Sequence, residues 1–279
     1  MSGANGANGG RLAATFARRA AAGEKVLVAY LCVGDPSVDE SIQIARAALD
    51  GGADVLELGV PFSDPTADGP VIARASQRAI RAGGGLEPTL RAARELRKTT
   101  DAPLVVFGYF NPLFVRGEER VVDEAADAGV DALLIVDLPL DEGAVLRARA
   151  KERGVAIVPL LAPTSSAARV DAVRALAAEG NAGFVYYVSL TGVTGSAAAP
   201  LVEASSVAGK LRERVGIPTV VGFGIDGPEK ARAAAAHVDG VVVGTALVRC
   251  VEEGASAEAR SSAVRSLIES LRGGLEPPR

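Results

Sequence analysis

Eight short apolar runs alternate with helical stretches along almost the whole chain, and that alternation leaves few folds open. The runs predict strands over Val26–Leu31, Asp54–Leu58, Leu104–Gly108, Ala132–Val136, Ala156–Leu160, Phe184–Val188, Thr219–Val221 and Gly240–Val243. Between them, Ala/Arg/Glu-rich stretches predict helices over Val38–Asp50, Val71–Arg81 with Glu87–Lys98, Glu118–Ala128, Glu142–Arg153, Ala167–Glu179, Leu201–Val215 and Pro228–Ala236. Ser256–Leu271 closes the series, and Leu12–Ala22 reads as an extra leading helix. Short apolar runs separated in this way are strands buried on both faces, as in a parallel sheet. Eight strand–helix units without a composition break predict an α/β fold: a (β/α)8 TIM barrel with an extra N-terminal helix, not an open sheet. The 279 residues fit one such domain, since these barrels run to about 250 residues. The barrel is expected over residues 11–272. A low-complexity, disordered stretch over 1–10 is expected before it, and a frayed tail over 273–279 after it.

Several function classes are excluded early. Apolar residues at 48% and charged residues at 23% describe a water-soluble protein with a full core. The net charge is −4, and the basic pairs Arg18-Arg19 and Arg97-Lys98 lie on helical patterns. They read as solvated faces, so no nucleic-acid partner is expected. No apolar run approaches the roughly 18 residues of a membrane span, and the N-terminus lacks the apolar core of a secretory signal. Cys32 and Cys250 lie outside any CxxC and read as small apolar fillers, which suits the cytoplasm. The single histidine, His237, precedes a strand and has no ligand cluster beside it. No metal or cofactor is therefore expected in this chain. A nucleophilic serine is equally unsupported, because no Gly-x-Ser-x-Gly elbow is present.

In a barrel of this kind, chemistry resides at the C-terminal ends of the strands and in the loops that follow. The second strand ends in a carboxylate, Glu57. Side chains alternate along a strand, so if Val55 points into the barrel, Glu57 does too, and Leu56 and Leu58 pack on the helices. Desolvation there raises a carboxyl pKa and suits a group that gives and takes protons. A salt bridge inside the barrel is the blander reading. The Gly/Pro-rich loop that follows carries Asp64 and Asp68. Asp68 has an alternative role as helix N-cap, and Asp64, before Pro65, has one as a turn residue. Spacing does not separate these alternatives.

Glycines gather late in the chain. Gly192-Val-Thr-Gly195 follows the sixth strand, Gly222-Phe223-Gly224 the seventh, and Gly244-Thr245 the eighth. Each set could simply make a tight turn. Their joint placement favours a phosphate site built from backbone N–H groups. Tyr30, Phe107, Tyr109, Leu134, Tyr186, Phe223 and Val242 stand at or near strand ends. Core packing is their default role, and a slot for a flat apolar ligand is the alternative.

Taken together, these segments resemble the tryptophan synthase alpha chain family from Val26 through the eighth strand. The resemblance rests on Gly34-Asp35-Pro36, Glu57-Leu-Gly-Val-Pro-Phe-Ser-Asp-Pro-Thr-Ala-Asp-Gly-Pro70, Asn111-Pro112, Asp137-Leu138-Pro139, Gly192-Val-Thr-Gly195 and Gly222-Phe-Gly-Ile225. It implies retro-aldol cleavage of indole-3-glycerol phosphate to indole and glyceraldehyde 3-phosphate. It also implies roles: Glu57 as general acid–base, Asp68 as the acid on the indole N–H, and Tyr186 beside the reacting centre. Gly195, Gly224, Gly244 and Thr245 match phosphate binders, and Gly192–Gly195 a mobile lid. Pro61, Asp64, Asn111 and Pro112 match positions facing a beta chain. That partner, in an alpha2beta2 heterotetramer, would hold pyridoxal phosphate and convert indole to tryptophan.

The chain departs from the family's usual pattern at three places. Thr245 replaces a frequent Ser and keeps the hydroxyl. Leu190 stands at a lid position that is Arg in some members. Tyr30-Leu-Cys32 replaces a more usual Phe-x-Thr and alters one pocket wall. Three other readings are a stand-alone indole-releasing lyase, a non-catalytic binding subunit, and another phosphate-binding barrel. Intact Glu57 and Asp68 argue against the second, and the strand-two motif argues against the third.

Overall fold

The structure, a computed structural model, describes residues 10–188, 199–222 and 224–276. Helix α1 (Gly10–Ala21) leads into β1 (Val26–Cys32), α2 (Val38–Asp50) and β2 (Val55–Gly59). After β2 come α3 (Pro70–Arg81), α4 (Leu86–Arg97), β3 (Leu104–Gly108), α5 (Phe110–Arg116), α6 (Glu118–Asp127) and β4 (Ala132–Ile135). The second half runs α7 (Ala144–Arg153), β5 (Ala156–Ile157), β6 (Leu160–Leu161), α8 (Ala167–Ala178), β7 (Val185–Tyr187) and α9 (Ala199–Val215). It ends with β8 (Thr219–Val221), α10 (Pro228–Ala234), β9 (Gly240–Val243), α11 (Thr245–Glu253) and α12 (Ala257–Leu275).

All strand pairs are parallel, in the order β5-β4-β3-β2-β1-β9-β8-β7-β6. The two ends of that order are consecutive in the chain. The expected fifth strand, Ala156–Leu160, is therefore two pieces, and the segment through Val158-Pro159 closes the barrel. Val158 N donates to Leu133 O on one side (2.9 Å), and Tyr186 N donates to Pro159 O on the other (3.0 Å). Pro159 has no N–H to give, which explains the break in the ladder.

The alternation of side chains separates two apolar layers. Val26, Val28, Tyr30, Val55, Val105, Leu134, Val158, Val220 and Val242 share the barrel interior. Leu27, Ala29, Leu31, Leu56, Leu58, Val106 and Leu133 pack outward on the helices. Helix α1 plugs the N-terminal end: Leu12 and Phe16 join the interior cluster, and Phe16 lies 5.6 Å from Phe184, ring centre to ring centre. Each side chain so buried contributes roughly 1.5–3 kcal/mol.

One device recurs at that end. Asp54, Asp131 and Asp239 each precede a strand and accept the backbone N–H of Leu27, Leu104 and Thr219 at 2.9, 2.8 and 2.9 Å. Each also meets an arginine: Arg19 at 2.6 Å, Arg97 at 2.8 Å and Arg212 at 2.6 Å. Carboxylates with little exposure, paired in this way, hold neighbouring strands in register.

Two helices exceed the sequence expectation. Helix α5 was not expected; Pro112 sits in its first turn, where a missing N–H costs nothing. Helix α12 runs on to Leu275 with Gly274 and Leu275 buried, past Gly273 where the tail was expected to start.

Candidate active site

Glu57 stands opposite Tyr30 in the β1–β2 register, one pleat above Val55. Its side chain is 1% exposed. Neither carboxyl oxygen has a hydrogen-bond partner among the described residues. Burial pushes its pKa up to about 8. A carboxyl pushed toward its neutral form among apolar side chains, with no salt-bridge partner among the described residues, has the chemistry of a proton donor.

Two tyrosines flank this acid, and glycines make room for them. A Cβ on Gly59 would lie 2.5 Å from the Tyr30 hydroxyl oxygen, and one on Gly222 would overlap the Tyr186 hydroxyl. Tyr186 donates to Gly222 O at 3.4 Å. Tyr30 packs edge-on against Phe107, with ring centres 5.1 Å apart. Burial first, and then the nearby acids Glu57 and Asp68, push the Tyr186 phenol well above its ordinary value. Tyr30 shifts the same way, from burial, then Cys32, Asp68 and Glu57. Both phenols are thereby held in their neutral form.

Asp68, on the β2–α3 loop, is close enough to act on the same two phenols as Glu57. Helix α3 is capped by Gly69 with Pro70 behind it, and its cap makes no side-chain hydrogen bond, so Asp68 is not the N-cap. Its Oδ2 accepts instead from the Tyr109 hydroxyl at 3.1 Å. The same hydroxyl accepts from Ala67 N at 3.0 Å. Phe62 stacks on the Tyr109 ring at 5.1 Å. Burial raises the Asp68 pKa, and the Tyr109 bond partly opposes that shift.

Phe107 and Tyr186 are half-buried at the mouth, with Leu134 and Val242 below them in the packed interior. Ile72, Val136 and Leu160 pack on the same interior cluster and are also half-buried. Sequence reading passed over these three. Val136 lies two residues beyond Leu134, and Leu160 ends the fifth apolar run, so alternation along the strands could have found them.

The glycine sites sit on adjacent loops. Gly224, with φ +63°, lies between β8 and α10. Gly244 caps α11, whose first residue is Thr245. A Cβ on Gly244 would lie 3.3 Å from the Tyr30 ring. Backbone N–H groups at such a helix start suit an anion. Leu190, Gly192, Gly195 and Phe223 lie outside the described residues. Of the expected partner-facing residues, Asp64 and Asn111 are exposed and Pro112 is half-buried, whereas Pro61 is buried, its ring against Gly84.

An ion network ties these parts together and was not legible in advance. Arg78 of α3 grips Asp35 at 2.9 and 2.8 Å and Glu252 of α11 at 2.8 Å. Arg74 holds Glu252 at 2.8 and 2.9 Å. The helix that follows Asp68 is thus joined to the helix that begins at Gly244.

The chain is similar to known proteins over nearly its whole length. A family model described as tryptophan synthase alpha chain matches residues 16–275. The tryptophan synthase alpha chain of Geotalea daltonii is 42% identical over 266 residues, covering 95% of this chain and 99% of that one. That of Desulfosudis oleivorans is 44% identical over 243 residues, covering 87% and 90%. Among solved structures, the alpha subunit of Legionella pneumophila superposes with a TM-score of 0.86 at 33% identity, covering 95% of this chain and 98% of that one. A chain of Mycobacterium tuberculosis tryptophan synthase gives 0.83 at 33% identity, covering 96% and 99%. With the match running through nearly the whole barrel and both acids in place, the chain belongs to the tryptophan synthase alpha chain family.

Proposed function

We propose that the chain is a lyase that cleaves indole-3-glycerol phosphate to indole and glyceraldehyde 3-phosphate, with Glu57 and Asp68 as its two acids. The observation that carries this reading is Glu57: buried, without a hydrogen-bond partner among the described residues, and raised to about 8. Protonated at neutral pH, it donates its proton to the indole ring carbon that bears the glycerol chain. The ring becomes a cation, and the Asp68 carboxylate beside its N–H balances that charge. Glu57, now a carboxylate, takes the proton of the adjacent glycerol hydroxyl. The carbon–carbon bond breaks, its electron pair restores the aromatic ring, and the aldehyde leaves. Glu57 ends as it began.

Tyr186 and Tyr30 bracket the reacting end, and Phe107, Leu134 and Val242, with Phe223, form the apolar wall for the ring. Gly224, Gly244 and Thr245, with Gly195, hold the phosphate. Indole then passes to a beta chain in an alpha2beta2 assembly. Pyridoxal phosphate belongs to that partner, where it supplies the chemistry that joins indole to an amino acid. Asp64, Asn111 and Pro112 face it, and Pro61 supports the loop of Asp64 from within. The family match and the exposure of Asp64 and Asn111 support the partner reading. No helix among the described residues is long and apolar enough to cross a membrane, and the chain works in the cytoplasm. The test is indole release from indole-3-glycerol phosphate, with and without a beta chain. Release in both conditions, larger with the partner, is expected; no release in either overturns the reading.

A further inference from the structure

We propose that Asp137 is a positioning residue for Asp68, acting through Tyr109; the proposal rests on the cleavage reading above. The β3–β4 ladder pairs Gly108 with Ile135 and continues with Val136 N donating to Gly108 O at 3.0 Å. One residue further on, a side chain takes over: Asp137 Oδ1 accepts the Phe110 amide at 2.7 Å. That amide belongs to the peptide bond between Tyr109 and Phe110. Fixing it fixes the peptide plane on the C-terminal side of Tyr109, and with it the direction in which the Tyr109 side chain leaves the backbone.

Tyr109 needs that direction held. Its hydroxyl sits at the meeting of two contacts from another loop, Asp68 Oδ2 at 3.1 Å and Ala67 N at 3.0 Å. A small rotation of its Cα–Cβ bond is amplified at the hydroxyl, the far end of a rigid ring, and Asp68 moves with it. The Asp137 carboxylate is itself exposed, and an exposed hydrogen bond adds little to global stability. Its consequence is local: it sets where the β2–α3 loop acid stands relative to Glu57, and catalysis is sensitive to small misplacement. The same peptide starts α5, which carries the exposed Phe114 and Val115.

The experiment is a double-mutant cycle of Asp137→Ala and Tyr109→Phe in the full chain. Its readouts are indole formation and hydrogen exchange at the Ala67 amide. Asp137→Ala is expected to lower kcat roughly tenfold, with KM changed far less. Asp137→Asn keeps an acceptor oxygen and is expected to restore most of that loss. Tyr109→Phe should cost at least as much, and the double variant should be no worse than Tyr109→Phe alone, as for two residues acting in series. Exchange at Ala67 should quicken in Asp137→Ala and not in Asp137→Asn. Additive losses, wild-type kcat in Asp137→Ala, or unchanged Ala67 exchange would overturn the proposal. The exchange measurement needs no substrate. A wild type inactive on indole-3-glycerol phosphate, with Ala67 exchange still quickened by Asp137→Ala, would remove the cleavage reading and uphold the link from Asp137 to the loop.

Discussion

Tyr30 and Glu57 face each other across adjacent parallel strands as register partners, and the Tyr30 ring lies over the glycine two residues past that acid. Aromatic rings and buried strands thus surround a carboxyl that has no counter-charge among the described residues. The first consequence is thermodynamic. The Glu57 pKa rises from 4.5 to about 8 on folding. Between those values the native state holds a proton that the unfolded chain has lost, so this group lowers stability as pH rises through that window. Glu57→Gln removes the effect. The variant should gain on wild type by a few kcal/mol at most, the gain growing from pH 5 to pH 8 and then levelling. Denaturant melts at a series of pH values measure it; a constant difference would mean that the carboxyl is not desolvated.

Asp68→Asn should bind substrate and turn it over slowly. Asn keeps an oxygen for Tyr109 and for the indole N–H but loses the charge that balances a cationic ring. The expected loss in kcat is on the order of 10²-fold or more, as for other electrostatic groups of this kind, with KM moving little. A change confined to KM would make Asp68 a binding residue.

Gly59→Ala tests the fit of Tyr30. The added methyl would sit 2.5 to 2.8 Å from three atoms of the Tyr30 ring and hydroxyl, which Phe107 holds from the side. Overpacking of this kind costs about 1–3 kcal/mol, and part of it should return with Tyr30→Phe. A melting temperature equal to wild type would mean that the ring moves freely. In the same region, a bulky residue at Gly244 should weaken binding of glycerol phosphate, because its side chain meets both the Tyr30 ring and the approach to the α11 amides.

Much of this was readable from residue order alone. Eight apolar runs gave the barrel, and alternation along β2 put Glu57 inside it with Leu56 and Leu58 outside. The N-terminal helix was visible by pattern, but its role as a plug depends on Leu12 and Phe16 meeting Phe184, which no local pattern encodes. The break at Pro159 was missed because the apolar run continues unbroken through Val158-Pro159-Leu160, although proline's missing N–H signals it. Helix α5 was missed because Asn111-Pro112 has turn chemistry in isolation. The choice between Asp68 as cap and Asp68 as site acid could not be made from spacing, since its deciding partner, Tyr109, is 41 residues away. The Asp35–Arg78–Glu252 network spans three elements and has no sequence signature.

A beta chain should raise turnover. Asp64 is exposed on the loop that carries Asp68, and its carboxylate meets only Ser63, at 2.7 Å, among the described residues. A partner that favours the placement of this loop in which Asp68 meets Tyr109 by about 1–3 kcal/mol would activate roughly 5–150-fold. Titrating beta chain against turnover, with Asp64→Ala alongside, checks this; no rise for the wild type would leave a stand-alone lyase.

The most direct test of the whole account is the rate of indole formation from indole-3-glycerol phosphate as a function of pH, for wild type and for Glu57→Gln. The wild type should lose kcat/KM on an alkaline limb near the raised Glu57 pKa of about 8, where the donor proton is lost. Glu57→Gln, folded normally, should fall by roughly 10²–10⁴-fold or more, since one group serves two proton transfers, and should show no such limb. A Glu57→Gln variant that releases indole at near wild-type rate would contradict the assignment of this barrel's acid.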